Sequence, residues 1–371
     1  PLDLINKSNP DIIVELMGLE NGISYSLIKS ALLKKIHVVT ANKALLAKHG
    51  NELFKLAEEN KVLLLFEAAV AGGIPIIKTI KNSLFLNKIS KISGILNGTT
   101  NYILSEMYKT NTSFEKVLKI AQQKGFAESD PTNDIEGIDA AHKLTILSVL
   151  CFGNKFNFDK VIHKGINNIE NEDIKFSNQL GYRIKLISSS EIKNNKIYSI
   201  VEPKLLKKDS KLANVNGVLN GIKIETNDLE SLFFEGEGAG GLATSASIIS
   251  DLFEIYNDTN NCSLGYKIEQ LKDIETLNSD EILSSFYLRI NVKDVSGVLA
   301  TITSHLNKEG ISIETFLQIP ENYNSFKNNI VPLIMTTHET KINLLNKAIN
   351  NIKNLEFVVS DVIVISIDKN L

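Results

Sequence analysis

Three short and almost wholly apolar runs, Asp11–Met17, Ile36–Thr40 and Lys61–Phe66, alternate with helix-length segments at the start of the chain. A sheet with one wet face alternates apolar and polar residues, whereas a strand covered by helices on both faces is apolar throughout. Between these runs, Ser24–Lys35 carries Leu27, Ile28, Ala31 and Leu32 at helical spacing, and Asn51–Asn60 is helical in pattern. The alternation predicts right-handed βαβ units around a parallel sheet, and such sheets place ligands beyond the carboxyl ends of their strands.

After about residue 83 the pattern changes. Strand-like runs at Lys88–Leu96 and Lys196–Leu206 mix with helical patterns at Asn101–Tyr108, Ser113–Lys124 and Gly137–Cys151, an α+β arrangement. The glycine-rich Phe234–Gly241 leads into a small-residue helix, Leu242–Leu252, and a polar stretch from Tyr256 to Asp280 reads as a linker. The last unit predicts strand 286–292, helix 297–309, strand 311–318, strand 329–336, helix 341–351 and strand 357–367. This βαββαβ order gives a ferredoxin-like sandwich. A chain of 371 residues with a net charge of −3 carries no nucleic-acid footprint. Two cysteines exclude a disulfide framework and predict a reducing, cytoplasmic setting, the six histidines lack zinc spacing, and no apolar stretch is long enough for a membrane helix.

The densest chemistry lies in Gly125–Lys143, where Glu128, Asp130, Asp134 and Glu136 precede or open a helix. Carboxylates at a helix start serve as caps and complement its dipole. Asp139 and Lys143, however, fall four residues apart on one helix face amid apolar neighbours, so an ammonium beside converging acids is available to bind an amino group and move a proton. His142 points elsewhere and reads as structural. Thr40-Ala-Asn-Lys43 and Glu67-Ala-Ala-Val70-Ala-Gly72-Gly73-Ile74-Pro75 each follow a strand, the first offering a lysine and the second backbone carbonyls that could converge on a cation. Gly94–Tyr102 adds hydroxyls and N–H groups at another helix start.

Together these segments resemble the homoserine dehydrogenase family, in whose order T-A-N-K, E-A-A-V-A-G-G-I-P, G-I-L-N-G-T-T-N-Y-I, G-F-A-E-S-D-P-T and the Gly236–Gly241 segment occur. The resemblance implies interconversion of L-homoserine and L-aspartate 4-semialdehyde with NADP or NAD, on the route to threonine, isoleucine and methionine. It implies Lys143 as proton donor and acceptor, Asp134 as supporting acid, and Lys43 between cofactor and substrate. Glu128 and Asp139 would bind the substrate, Gly18, Lys43 and Gly240 the cofactor, and Glu67, Val70, Gly72 and Ile74 a structural monovalent cation, sodium or potassium. No G-x-G-x-x-G precedes Asp11, although the family opens with one, so the expectation is an N-terminally truncated chain.

The expected architecture is α/β: a partial Rossmann-like parallel sheet (1–82), a substrate-binding, catalytic and dimerisation domain (83–232), a glycine-rich segment and helix returning to the cofactor domain (233–255), a linker (256–284) and a C-terminal unit (285–371). That last unit resembles an ACT domain through Asp294-Val-Ser-Gly297-Val-Leu299, which implies a threonine effector and a homodimer or homotetramer. The alternative is a catalytically silent product that dimerises and binds an amino acid through the same unit.

Overall fold

In the computed structural model, which describes residues 2–257, 262–278, 280, 282–317 and 330–371, the three apolar runs form a parallel sheet of strands Ile12–Glu15, His37–Thr40 and Leu64–Leu65, in that order. Ile13 pairs with Val38, which pairs in turn with Leu64. Their side chains alternate between two cores. Val38 and Leu64 join Leu27, Ile28, Leu46 and Phe54 of the helices Ile23–Leu33 and Lys43–Asn60. Val39 and Leu65 instead meet Ile248, Leu252 and Ile255 of the helix Gly241–Tyr256. Val38–Val39 and Leu64–Leu65 are apolar on both faces because both are covered, whereas Val14 of the first strand is 41% exposed.

The second of these helices is longer than its pattern suggested. It starts at Lys43 rather than Asn51, because Asn42 caps it by accepting from Leu45 N at 3.1 Å, and Gly50 does not interrupt it. A Cβ on Gly50 would lie 2.8 Å from the Phe156 ring, so the glycine is a packing requirement inside the helix. Lys43 is thereby held in the first helical turn instead of a loop.

The rest of the chain builds around one large sheet, in the spatial order 313–317, 330–337, 283–293, 363–368, 196–207, 182–193, 89–95, 219–226 and 232–237. Strands Tyr182–Lys193 and Leu219–Thr226 were not apparent in the sequence. Ser188, Ser189 and Ser190 make the first look polar, yet all three are buried. Ser189 pairs its hydroxyl with Ser93 at 2.9 Å and Ser190 with Ser199 at 2.7 Å, so two of these three hydroxyls are satisfied by serines of neighbouring strands, while that of Ser188 has no partner among the described residues. The helix Ile138–Phe152 packs on this sheet and is buried on nearly every face, with Ala140, Ala141, Leu144, Ile146, Leu147, Val149 and Leu150 at 1% exposure or less. A helix buried on nearly every face belongs in the core, so its polar residues Asp139 and Lys143 are held there with it.

The C-terminal unit has the expected βαββαβ order except for an additional two-residue strand, Thr340–Lys341, that pairs with Leu283–Ser284, and its last strand begins at Ile363 rather than at 357; the strand order is 313–317, 330–337, 283–293, 363–368. It is not set apart: strand Ile363–Asp368 pairs in parallel with Lys196–Lys207 through Ser366–Lys204, so the two sheets are continuous. Arg289, only 2% exposed, donates to Asp173 Oδ1 and Oδ2 at 2.8 and 3.0 Å, with Tyr287 hydroxyl on the same carboxylate at 3.1 Å. The stretch expected as a linker is likewise packed where described. Leu264 and Leu271 are buried, Ser263 Oγ accepts from Leu64 N, and Thr276 bridges Ile197. Gln318 and Asn329, each at an end of an expected strand, and residues 258–261, 279 and 281 of the expected linker lie outside the described residues. Among the described residues no helix is long and apolar enough to cross a membrane.

Candidate active site

Lys143, Asp139, Asp134 and Lys43 converge on one cleft of about 550 Å³, lined also by Asn97, Thr99, Asn220 and the strap Glu237–Gly240. The buried helix Ile138–Phe152 supplies Asp139 and Lys143 one turn apart. Lys143 Nζ donates to Asp139 Oδ2 at 2.7 Å and to Leu96 O at 2.9 Å. An ammonium has three N–H groups, so one remains to face the cleft. Lys43, from the first turn of its own helix, approaches Asp139 Oδ1 at 3.3 Å. Asp139 is thus held between two lysines.

Asn97 completes the set. Its Nδ2 donates to Asp134 Oδ1 at 2.7 Å and Asp139 Oδ2 at 2.9 Å, while its Oδ1 accepts from Thr100 N at 2.8 Å as cap of the helix Gly98–Thr110. Burial alone would raise the Asp139 carboxyl, but the Lys143 and Lys43 ammoniums and the donated hydrogen bonds outweigh it and hold the group well below the usual carboxylate range. Asp134 moves the other way, pushed up by burial and by the Asp139 charge against the Asn97 hydrogen bond. Two neighbouring acids therefore differ in proton affinity, an arrangement suited to a permanent anion beside a weaker acid. Burial drives His142 down to about 4, and it stacks on Phe158 at 4.3 Å, in keeping with a structural ring.

The remaining predicted residues fall less closely together. Glu128 is exposed on the Phe126–Pro131 loop and is not among the residues lining the cleft. Gly18, at φ 73, lies in the turn after the first strand and is not among the residues lining the cleft; that turn is tied to the start of the Lys43 helix by Asn42 Nδ2, which donates to Leu19 O at 2.8 Å. Gly240, at φ 115, lines the cleft, and a Cβ there would meet nothing within 4 Å. Asn220 at the cleft wall escaped sequence reasoning, as did Glu15, 1% exposed at the carboxyl end of the first strand. It accepts from Met17 N, Ser24 Oγ and Thr40 Oγ1 at 2.9, 3.0 and 2.7 Å, and so fixes both strand-end turns. A lone acid ending an apolar run is its only sequence signal.

In the segment expected to hold a cation, Glu67 accepts from Ile77 N at 3.0 Å and Lys78 N at 2.9 Å, and Gly72 O accepts from Ser247 Oγ. Ile74 O likewise accepts from Ile76 N at 2.7 Å, so three of the four predicted oxygen sources already have protein partners. Among the described residues no group of three or more His, Cys, Asp or Glu is placed to hold a metal ion. Burial, then the neighbouring Asp251 charge, raises Glu67 from 4.5 to about 7. A carboxyl whose folded value is raised opposes folding as it ionises, so stability falls by about 3 kcal/mol as pH climbs from about 4.5 to about 7. Glu67→Gln is expected to abolish that slope, so that the melting temperature of the unaltered protein falls relative to that of the variant from pH 5 to pH 8. A constant difference between the two would contradict it.

A family model described as homoserine dehydrogenase matches residues 75–253, and one described as its NAD binding domain matches residues 2–67. The homoserine dehydrogenase of Neisseria gonorrhoeae is 40% identical over 364 residues, 96% of this chain and 82% of that protein. This chain belongs to the homoserine dehydrogenase family. The crystal structure of the homoserine dehydrogenase from Thiobacillus denitrificans superposes with a TM-score of 0.92 at 38% identity, covering 100% of this chain and 84% of that one. A hyperthermophilic archaeal homoserine dehydrogenase solved in complex with NADPH gives a TM-score of 0.62 at 29% identity, with 70% and 76% covered. As a homoserine dehydrogenase, the protein is an oxidoreductase of amino-acid biosynthesis with an NAD-binding segment, and the cleft is bordered by residues of both matched regions: Lys43 from the NAD-binding part, and Asn97, Asp134, Asp139, Lys143 and Gly240 from the other.

Proposed function

We propose that this cleft interconverts L-homoserine and L-aspartate 4-semialdehyde, with Lys143 as the proton donor and acceptor. The observation that carries the reading is the Lys143 ammonium, anchored to Leu96 O and Asp139 with one N–H left toward the cleft. A nicotinamide dinucleotide, NADP or NAD, supplies or removes the hydride when bound. In reduction, Lys143 Nζ gives a proton to the alkoxide oxygen that forms as the aldehyde carbon gains hydride; in oxidation it takes the hydroxyl proton back. Asp139, ionised between Lys43 and Lys143, keeps the ammonium in place, and Asp134 supplies a carboxylate for the substrate ammonium. Glu128 serves the same end only where its loop folds over the substrate.

The glycine strap and the buried, unpartnered Asn220 amide at the cleft wall fit a planar cofactor ring, with Gly240 at the cleft and Gly18 in the turn after the first strand as the cofactor-contacting glycines. The structural sodium or potassium ion would draw on Glu67 and on the Val70, Gly72 and Ile74 carbonyls, and no chemical step depends on it. The C-terminal βαββαβ unit, with Gly297 at φ 89 opening its first helix, is read as an ACT-type sensor of threonine, in a homodimer or homotetramer. Oxidation of L-homoserine with a hydrazine present should accumulate the trapped aldehyde, and L-threonine should slow it. Absence of the trapped aldehyde would refute the reaction; a rate indifferent to threonine would leave the C-terminal unit a structural role.

A further inference from the structure

Asn220 is 1% exposed, and neither its Oδ1 nor its Nδ2 has a hydrogen-bond partner, although the residue lines the cleft. Leaving an amide buried and unpaired costs roughly 1–3 kcal/mol, and folded proteins satisfy nearly all such groups. The side chain is not loosely placed. Its strand Leu219–Thr226 pairs Asn220 with Gly236, and the preceding loop is tied down by Asn101 Nδ2 on Val215 O and Leu219 O at 3.2 and 3.1 Å. Buried Lys185 donates to the same Val215 O at 2.6 Å. The strap lies directly over the amide, since a Cβ on Gly238 would fall 2.0 Å from Asn220 Oδ1.

The chemistry of the cleft narrows the ligand group that would satisfy this amide. Charged parts of an amino-acid substrate have Lys43, Lys143, Asp134 and Asp139 to meet them. The other amide in the cleft, Asn97, is spent at both ends. Asn220 offers one acceptor and one donor in a plane, with no charge. A primary carboxamide is the complementary group, because its N–H and C=O answer both orphaned atoms at once. Resting on the dehydrogenase reading above, we propose that Asn220 recognises the carboxamide of the nicotinamide ring, reached when Gly238 lifts from it, and so sets which face of the cleft the ring occupies.

Binding of reduced dinucleotides to the full protein, followed by their fluorescence, tests this. The 3-acetylpyridine analogue keeps the ring carbonyl but lacks the amide N–H. The unaltered protein should bind the carboxamide form about tenfold more tightly than the analogue, as expected for one neutral hydrogen bond. Asn220→Ala should bring that ratio close to one and leave affinity for the ring-less ADP-ribose portion unchanged. Asn220→Asp, which retains the acceptor at nearly the same size, should keep the discrimination while weakening both dinucleotides, and it keeps the test open if the alanine variant does not fold. Equal binding of both forms by the unaltered protein, or undiminished discrimination by Asn220→Ala, would overturn the assignment. Failure of the dehydrogenase reading is separately visible, as absence of L-homoserine oxidation by the unaltered protein.

Discussion

Lys143→Ala is expected to lower kcat by about 10²–10⁴, the range associated with a positioned general acid–base group, while leaving dinucleotide affinity within about twofold. The expectation follows from the anchoring of Nζ by Leu96 O and Asp139, which spends two donors and presents the third. Alanine also leaves Asp139 with Lys43 as its only ammonium partner among the described residues, so some loss of stability accompanies the change. Lys143→Arg separates the two effects. A guanidinium keeps a positive charge beside Asp139 but does not release its proton at neutral pH. The arginine variant should therefore be folded and nearly as inactive as the alanine variant. If it turned over substrate at the unaltered rate, Lys143 would be an electrostatic anchor only.

The largest effect on stability is expected at the junction of the C-terminal unit with the central sheet. Asp173 is fully buried and accepts from Arg289 Nε and Nη2 and from Tyr287 hydroxyl. Asp173→Ala leaves a guanidinium that is 2% exposed with, among the described residues, ion pairs to Glu170 at 2.9 Å and Glu172 at 3.6 Å alone, whose side chains are 58% and 44% exposed. Removing one partner of a buried ion pair costs about 3–5 kcal/mol, most of it the desolvated charge left behind. Denaturant unfolding should show a loss of that size. Replacing both residues, as Asp173→Leu with Arg289→Met, should recover most of it, because an apolar pair leaves no buried charge. A double variant as unstable as the single one would mean that the ion pair itself, rather than its broken half, carries the stability.

How much of this was legible in the sequence depended on whether a signal was local. The parallel sheet was readable because strands covered on both faces must be apolar throughout, as Val38 and Val39 are in opposite cores. Asp139 and Lys143 were readable as neighbours because a helix places residues four apart on one face. Strand Tyr182–Lys193 was not, since its buried Ser189 and Ser190 are satisfied by Ser93 and Ser199 on other strands. The start of the helix at Lys43 was hidden by Gly50, whose role is set by Phe156 far along the chain. Asn97 stood in a motif quoted for its hydroxyls and N–H groups, but its bridging of Asp134 and Asp139 is a tertiary fact. The joining of the C-terminal unit to the central sheet rests on Ser366 meeting Lys204, which no sequence period announces.

The central claim is that this cleft oxidises L-homoserine through Lys143. The most direct measurement is the absorbance of reduced nicotinamide when the unaltered protein and Lys143→Ala are each mixed with L-homoserine and NADP or NAD. A steady rise with the unaltered protein that nearly vanishes in the variant, with both folded by circular dichroism, is the predicted result. An equal rise in both, or no rise with the folded unaltered protein, would contradict it.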